Sequence, residues 1–218
     1  RKILKWFIYD NPKEELVQYY GNYFKEVNFE IKPLLTKIFT EEFTKDNAGS
    51  KIKSPLEYIL QLIYELNIEN INEKSITNFL NDQGMNLFNQ SNVKGWYGGK
   101  YWLSSQTYLQ RINIADSLCN GKNIATREKD KNIDENSMMM VQKAKSVINP
   151  KLNWNKDGNN KEVIAELKER LLFTMDDTYQ QDFEKILKYD FDTKADGAEN
   201  TVLRLFNFMV KTPEFQLI

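Results

Sequence analysis

The side chains able to do chemistry in this sequence are carboxylates, lysines, arginines, phenols and a single thiol, because its 218 residues contain no histidine. That absence removes the usual general base near neutral pH and the commonest nitrogen ligand for zinc, copper or iron. Cys119 is the one cysteine, so a Ser-His-Asp triad, a Cys-His pair, a Cys/His metal centre and an internal disulfide are all excluded within these residues. Carboxylate pairs remain. Asp176 with Asp177 and Glu41 with Glu42 supply the residue type that glycoside hydrolysis needs, two carboxyl groups facing each other across a cleft. Neighbouring acids on a helix more often enrich its first turn, so spacing alone assigns neither pair to catalysis.

Two stretches imitate calcium loops. In "NWNKDGNNKE", Asn153, Asn155 and Asp157 alternate ahead of Gly158, but the twelfth position holds Ile164 where a bidentate glutamate is needed. Asp190, Asp192 and Asp196 in "DFDTKADGAEN" miss the register. Both read as Asn/Asp-Gly turns, and neither a metal nor a cofactor is expected.

The densest cluster of recognition-type side chains is "NVKGWYGGKYWLSS", Asn92 to Ser105. Gly95, Gly98 and Gly99 permit positive backbone dihedrals and close approach. Trp96, Tyr97, Tyr101 and Trp102 offer flat faces with polar tips, suited to stacking on sugar rings or a peptide, while Asn92 and Lys94 supply hydrogen bonds and charge. The competing reading is that these rings are buried to hold an irregular loop in place.

Helices must carry this loop. "KSPLEYILQLIYEL" has the clearest start, with Ser54, Pro55 and Glu57 at the cap, first and third positions and Leu56, Ile59, Leu60 and Ile63 as the inward stripe. In "DNPKEELVQYYGNYFKEV", Asn11 is expected to cap and Pro12 to open a helix burying Leu16, Tyr19, Tyr20, Tyr23 and Val27. "EIKPLLTKIF" places Ile31, Leu34, Leu35 and Ile38 inward, and "RKILKWFIY" places Ile3, Leu4, Phe7 and Ile8 there, with a buried strand as its alternative. A helix over Glu73 to Asp82 stops at Gly84. Another follows Ser104 or Ser105 with Tyr108, Ile112, Ala115 and Cys119 on one face, which puts the thiol in the core. Later segments add Val163, Ile164, Leu167, Leu171 and Leu172, then "DTYQQDFEKILKY" and "ENTVLRLFNFMVKTPEF". No alternation of period two is sustained, so the fold class is all-α, a single irregular domain of roughly eight to ten helices over residues 1–218.

Residues 120–160 are charged and Asn-rich, as in an exposed connection or insertion, with a short helix in "MMMVQKAKSVI". "KIFTEEF" and "MVKTPEF" share Thr-x-Glu-Phe, a possible trace of an internal repeat. Thirty basic and thirty-one acidic groups leave a net charge of -1, so no global field draws in nucleic acid or an anionic membrane. No apolar run is long enough to span a bilayer. The chain begins with Arg rather than Met and is expected to be a fragment or a processed product.

From Asn81 to Leu118 the sequence resembles the C-terminal part of a bacterial family, the domain of unknown function 1800 (DUF1800). The shared positions are Gly84, Leu87, Phe88, Asn92, Val93, Gly95, Trp96, Gly99, Trp102 and Arg111, with "KSPLEYI" upstream and "TPEFQ" at the end also in the family's order. The resemblance implies a mostly helical protein, often exported to the periplasm or cell surface and encoded beside sulfatase- or phosphatase-like proteins, with no activity to carry over. The expectation is a helical scaffold or binding module recognising a glycan, peptide or protein partner through Asn92, Lys94, Trp96, Tyr97, Tyr101, Trp102 and Arg111. With no histidine and one cysteine it leans away from an enzyme. The alternative is part of a cell-envelope hydrolase whose catalytic groups are expected mainly in an N-terminal half that precedes these residues in the family, with Arg111 or Lys94 stabilising an anion.

Overall fold

A computed structural model of the protein describes residues 1–42, 50–124, 148–172 and 179–218. Among them are nine α-helices and no named strand: α1 (Lys2–Phe7), α2 (Glu14–Glu26), α3 (Ile31–Glu42), α4 (Pro55–Glu65), α5 (Glu73–Asp82), α6 (Ser105–Cys119), α7 (Asn160–Leu171), α8 (Gln180–Ile186) and α9 (Ala198–Met209). Short 3-10 turns occupy Gly99–Trp102 and Glu214–Gln216. Asp176, Asp177, Phe43 and Met138 to Met140 lie outside the described residues.

Local chemistry starts these helices. Ser54 accepts from the Glu57 amide while the Glu57 carboxylate takes the Ser54 amide, a reciprocal capping box with Pro55 where its missing N–H costs nothing. Ser104 with Thr107 and Asn159 with Glu162 repeat the device at α6 and α7. Helix α2 departs from expectation: Lys13 is its N-cap and Glu14 its first residue, so Pro12 sits in the approach, buried, rather than inside the helix.

The larger hydrophobic cluster gathers α4 to α9 around Tyr58, Leu62, Leu80, Leu118, Leu167, Phe183 and Phe206. Helix α9 lies at its centre, against α6, α7 and α8, and fully buries Val202, Leu205, Phe206 and Met209. Each such side chain is worth about 1.5–3 kcal/mol relative to exposure. All five residues expected inward on and after α7 are buried. On α4 Ile59 is buried as expected and Leu56 and Ile63 pack against the core, but Tyr58 and Leu62 are also buried and Leu60 stays half exposed. Tyr58 tolerates full burial because its hydroxyl donates to the Arg111 carbonyl at 2.8 Å, a partner no helical spacing reveals.

A second cluster joins α1, α2 and α3 through Leu4, Ile8, Tyr20, Leu34 and Ile38. Ile31, Tyr19 and Phe7, expected inward, are 58%, 49% and 38% exposed, because three short helices enclose a narrower core than their apolar positions fill. Glu42, wholly buried, accepts from the hydroxyls of Tyr9 at 2.6 Å and Tyr20 at 2.5 Å. The chain's last residues close the fold: Ile52 and Leu217 form an isolated antiparallel bridge, and the Ile218 amide donates to the Lys51 carbonyl at 2.7 Å. Thr40 to Glu42 are helical whereas Thr212 leads from a bend into a 3-10 turn, so the two Thr-x-Glu segments are built differently.

Candidate functional site

The loop between α5 and α6 is assembled from its glycines outward. Gly84, at φ +78, ends α5 in the left-handed region, and the Met85 amide returns to the Leu80 carbonyl at 2.7 Å. Asn92 forms an Asx turn, its side-chain oxygen accepting from the Lys94 amide at 2.8 Å and its carbonyl from Gly95 at 3.0 Å. Gly99, at φ +55, lies so close to Asp10 that a Cβ there would stand 2.8 Å from the carboxylate oxygen. The glycine therefore lets the loop sit against the turn between α1 and α2.

The aromatic residues divide by direction. Trp102 is buried and Trp96 packs against the larger core, together with Met85 and Leu87. Tyr97 and Tyr101 face outward, 70% and 74% exposed, with ring centroids 5.1 Å apart and planes 36° from parallel. Lys94 is exposed, Asn92 partly so. Of the residues singled out from sequence, the outward set is thus Lys94, Tyr97 and Tyr101, while Trp96, Trp102 and Arg111 face the interior.

Arg111 is fully buried on α6. Its Nε donates to Gln83 Oε1 at 3.0 Å, one terminal nitrogen to Gln216 Oε1 at 3.2 Å, and the other to the carbonyls of Lys53 at 3.1 Å and Trp102 at 3.4 Å. The guanidinium also lies 5.0 Å from the centre of the Tyr58 ring. Every acceptor is neutral, and burial lowers its pKa to about 10. Beside it, buried Lys53 donates to the Phe215 carbonyl at 2.6 Å and sits 3.8 Å from that ring's centre. Burial first, and the Arg111 charge second, bring Lys53 down to about 7. The two cations bolt together the end of α5, the loop, α6, the entry to α4 and the chain's last turn. Lys53, Gln83, Tyr58 and Gln216 were not legible as a group, since their partners lie tens of residues apart; the one local signal is Gln216, set in the apolar run Phe215 to Ile218.

Carboxylates gather elsewhere. A cleft of about 750 Å3 beside α2 is lined by Tyr9, Asp10, Glu15, Tyr19 and Glu42, among others. Burial raises the Asp10 carboxyl above its ordinary range, opposed by the charges of Lys51 and Lys5. Glu41, paired with Lys37 at 2.5 Å and accepting from Tyr20 at 3.1 Å, is held below that range. Around Asn153 to Gly158, Asn155 accepts from the Asp157 amide at 3.0 Å and Asn159 caps α7, so the oxygens close turns. Asp192 does the same with Lys194 at 2.9 Å. Among the described residues no three His, Cys, Asp or Glu side chains are grouped to hold a metal ion, and no helix is long and apolar enough to cross a membrane. Cys119 is buried, its thiol pushed up to about 12.

Fold and loop together define a helical protein that carries an outward tyrosine pair on a glycine-hinged, core-anchored crossover. Residues 1–217 match the family described as Protein of unknown function (DUF1800), and the chain belongs to that family. No curated protein and no solved structure matches it.

Proposed function

We propose that the protein is a helical binding module of an exported cell-envelope protein, with residues 92–101 as its recognition surface. The observation that carries this reading is the Tyr97 and Tyr101 pair, two large amphipathic rings left in solvent on a loop whose two tryptophans are held against the core. A rigid platform loses little conformational freedom on binding. Lys94 and Asn92 add charge and hydrogen bonds beside it, and Trp96, Trp102 and Arg111 hold it in position. A glycan, a peptide or an envelope protein, including a sulfatase- or phosphatase-like neighbour, suits such a surface. The test is co-sedimentation with a cell-envelope preparation: the parent should bind, and Tyr97→Ala with Tyr101→Ala should lose most binding while keeping its melting curve. Undiminished binding by that variant contradicts the reading.

A second reading, envelope-polymer hydrolysis by carboxylates, is favoured by the Asp10 and Glu42 cleft. The Asp10 carboxyl, raised by burial, is poised as an acid, and Glu42, lining the same cleft, accepts from two phenols. Release of soluble fragments from an envelope polymer by the parent, abolished in Asp10→Asn, supports it. Absence of release from such polymers removes it.

A further inference from the structure

The loop carries more apolar surface than a stacking platform uses. Phe88 is 94% exposed and Val93 105%, in the same short segment as Tyr97 and Tyr101. Phe88 holds φ +63, a conformation costly for a bulky residue, and its ring gains no burial in return. Of the other exposed rings, Phe29, Tyr64 and Tyr189 stand next to the acids Glu30, Glu65 and Asp190, while Trp6, Phe7 and Tyr19 have partners in Lys51, Phe39 and Tyr20. Here the charge pattern differs. In a chain with 31 acidic groups, no aspartate or glutamate occurs between Asp82 and Asp116. Three cations lie in that interval: Lys94 and Lys100, both exposed, and Arg111, buried. The balanced charge of the whole chain therefore conceals a locally cationic, apolar-tipped loop. The Asp10 carboxylate, which faces the backbone of Gly99, is offset by Lys5 and Lys51.

Apolar tips, tyrosines and lysines without acids are the elements of interfacial membrane contact, in which aliphatic and phenyl groups enter the acyl boundary, phenols lie at headgroup level and ammonium groups meet phosphates. We propose that residues 88–101 dock the protein on an anionic lipid surface. Phe88 and Val93 insert, Tyr97 and Tyr101 lie among the headgroups, and Lys94 and Lys100 pair with lipid phosphates. Met85, Leu87, Trp96 and Trp102 face the core, so the residues left outward are those that would touch lipid. A glycan would use the tyrosines and lysines but gives Phe88 and Val93 no role. The inference rests on the loop being the binding surface, and it names what the loop binds.

The experiment is vesicle co-sedimentation of the full chain, using phosphatidylcholine vesicles with and without phosphatidylglycerol. Binding should require phosphatidylglycerol and weaken with added salt. Lys94→Gln with Lys100→Gln should weaken it about 25-fold, from about fivefold per lysine near an anionic surface, and Phe88→Ser with Val93→Ser by at least about tenfold. All four side chains are outward, so melting curves should match the parent. No binding to the anionic vesicles, or equal binding by parent and both variants, overturns the proposal. So does an acidic polysaccharide that binds the parent and the Phe88/Val93 variant alike while vesicles bind neither. Failure here with the tyrosine-dependent envelope binding intact sinks the lipid inference alone; loss of that dependence sinks the loop reading itself.

Discussion

Lys53 should make the protein more stable as pH rises through neutrality. It loses its proton near pH 7 in the fold against 10.5 ordinarily, through burial and the neighbouring Arg111. Between those values the unfolded chain binds more protons than the folded one, so unfolding free energy increases with pH across that window, and the penalty is fully present below it. At about 1.4 kcal/mol per pH unit, the gain from pH 6 to pH 8.5 is about 2 kcal/mol, or about 4–8 °C in Tm. The absence of histidine leaves this window free of the side chain that ordinarily titrates there. Glu57 and Glu65 on α4 act on Lys53 in the opposite sense to Arg111 and temper the rise. Higher up the Cys119 thiol, raised from 9.0 to about 12, opposes it: the unfolded thiol ionises first, so from about pH 9 its contribution cancels the continuing Lys53 gain and the profile levels off. The assay is thermal unfolding by circular dichroism from pH 6 to 9 on the parent and on Lys53→Met. Subtracting the two profiles removes the titrations they share. A parent profile that is flat from pH 6 to 8.5, or a variant with the same slope, refutes the reasoning.

Other outcomes follow from the same geometry. Arg111→Leu removes four hydrogen bonds and strands three buried acceptors, the Trp102 carbonyl keeping the Thr107 hydroxyl, costing about 3–5 kcal/mol in urea unfolding; Arg111→Lys, lacking the fork, should recover less than half of that. Gly99→Ala meets both a positive φ and the Asp10 carboxylate and should cost about 1–3 kcal/mol, with part regained in the Asp10→Ala background. Cys119 should resist a thiol reagent in the native protein and react only as fast as the fold opens, whereas immediate labelling would place it outside the core.

Much of the helical frame was legible because its signals are local. Ser54, Ser104 and Gly84 act within one turn of the chain, and the apolar repeat after Val163 is long enough to define a single face. Periodicity failed where the buried residue was amphipathic: it chose Leu60 over Tyr58 because it could not see the Arg111 carbonyl that receives the phenol. It also placed Pro12 inside α2, where Lys13 is the cap. The loop's composition drew notice, but which rings point outward depends on the positive dihedrals at Gly95, Gly98 and Gly99, which a sequence permits without dictating. The Arg111 and Lys53 hub was hidden for a different reason. Its members come from five separated segments, and two buried cations that each donate to neutral acceptors leave no charge-pair pattern to read.

Hydroxyl-radical footprinting of the tyrosines, with and without an envelope preparation, tests the recognition loop most directly. Free protein should label at Tyr97 and Tyr101 and scarcely at buried Trp102. Bound protein should show Tyr97 and Tyr101 protected, with Tyr9 and Tyr19 unchanged. Protection confined to Tyr9 and Tyr19, with Tyr97 and Tyr101 labelled as before, would contradict the account and place the working surface at the acidic cleft.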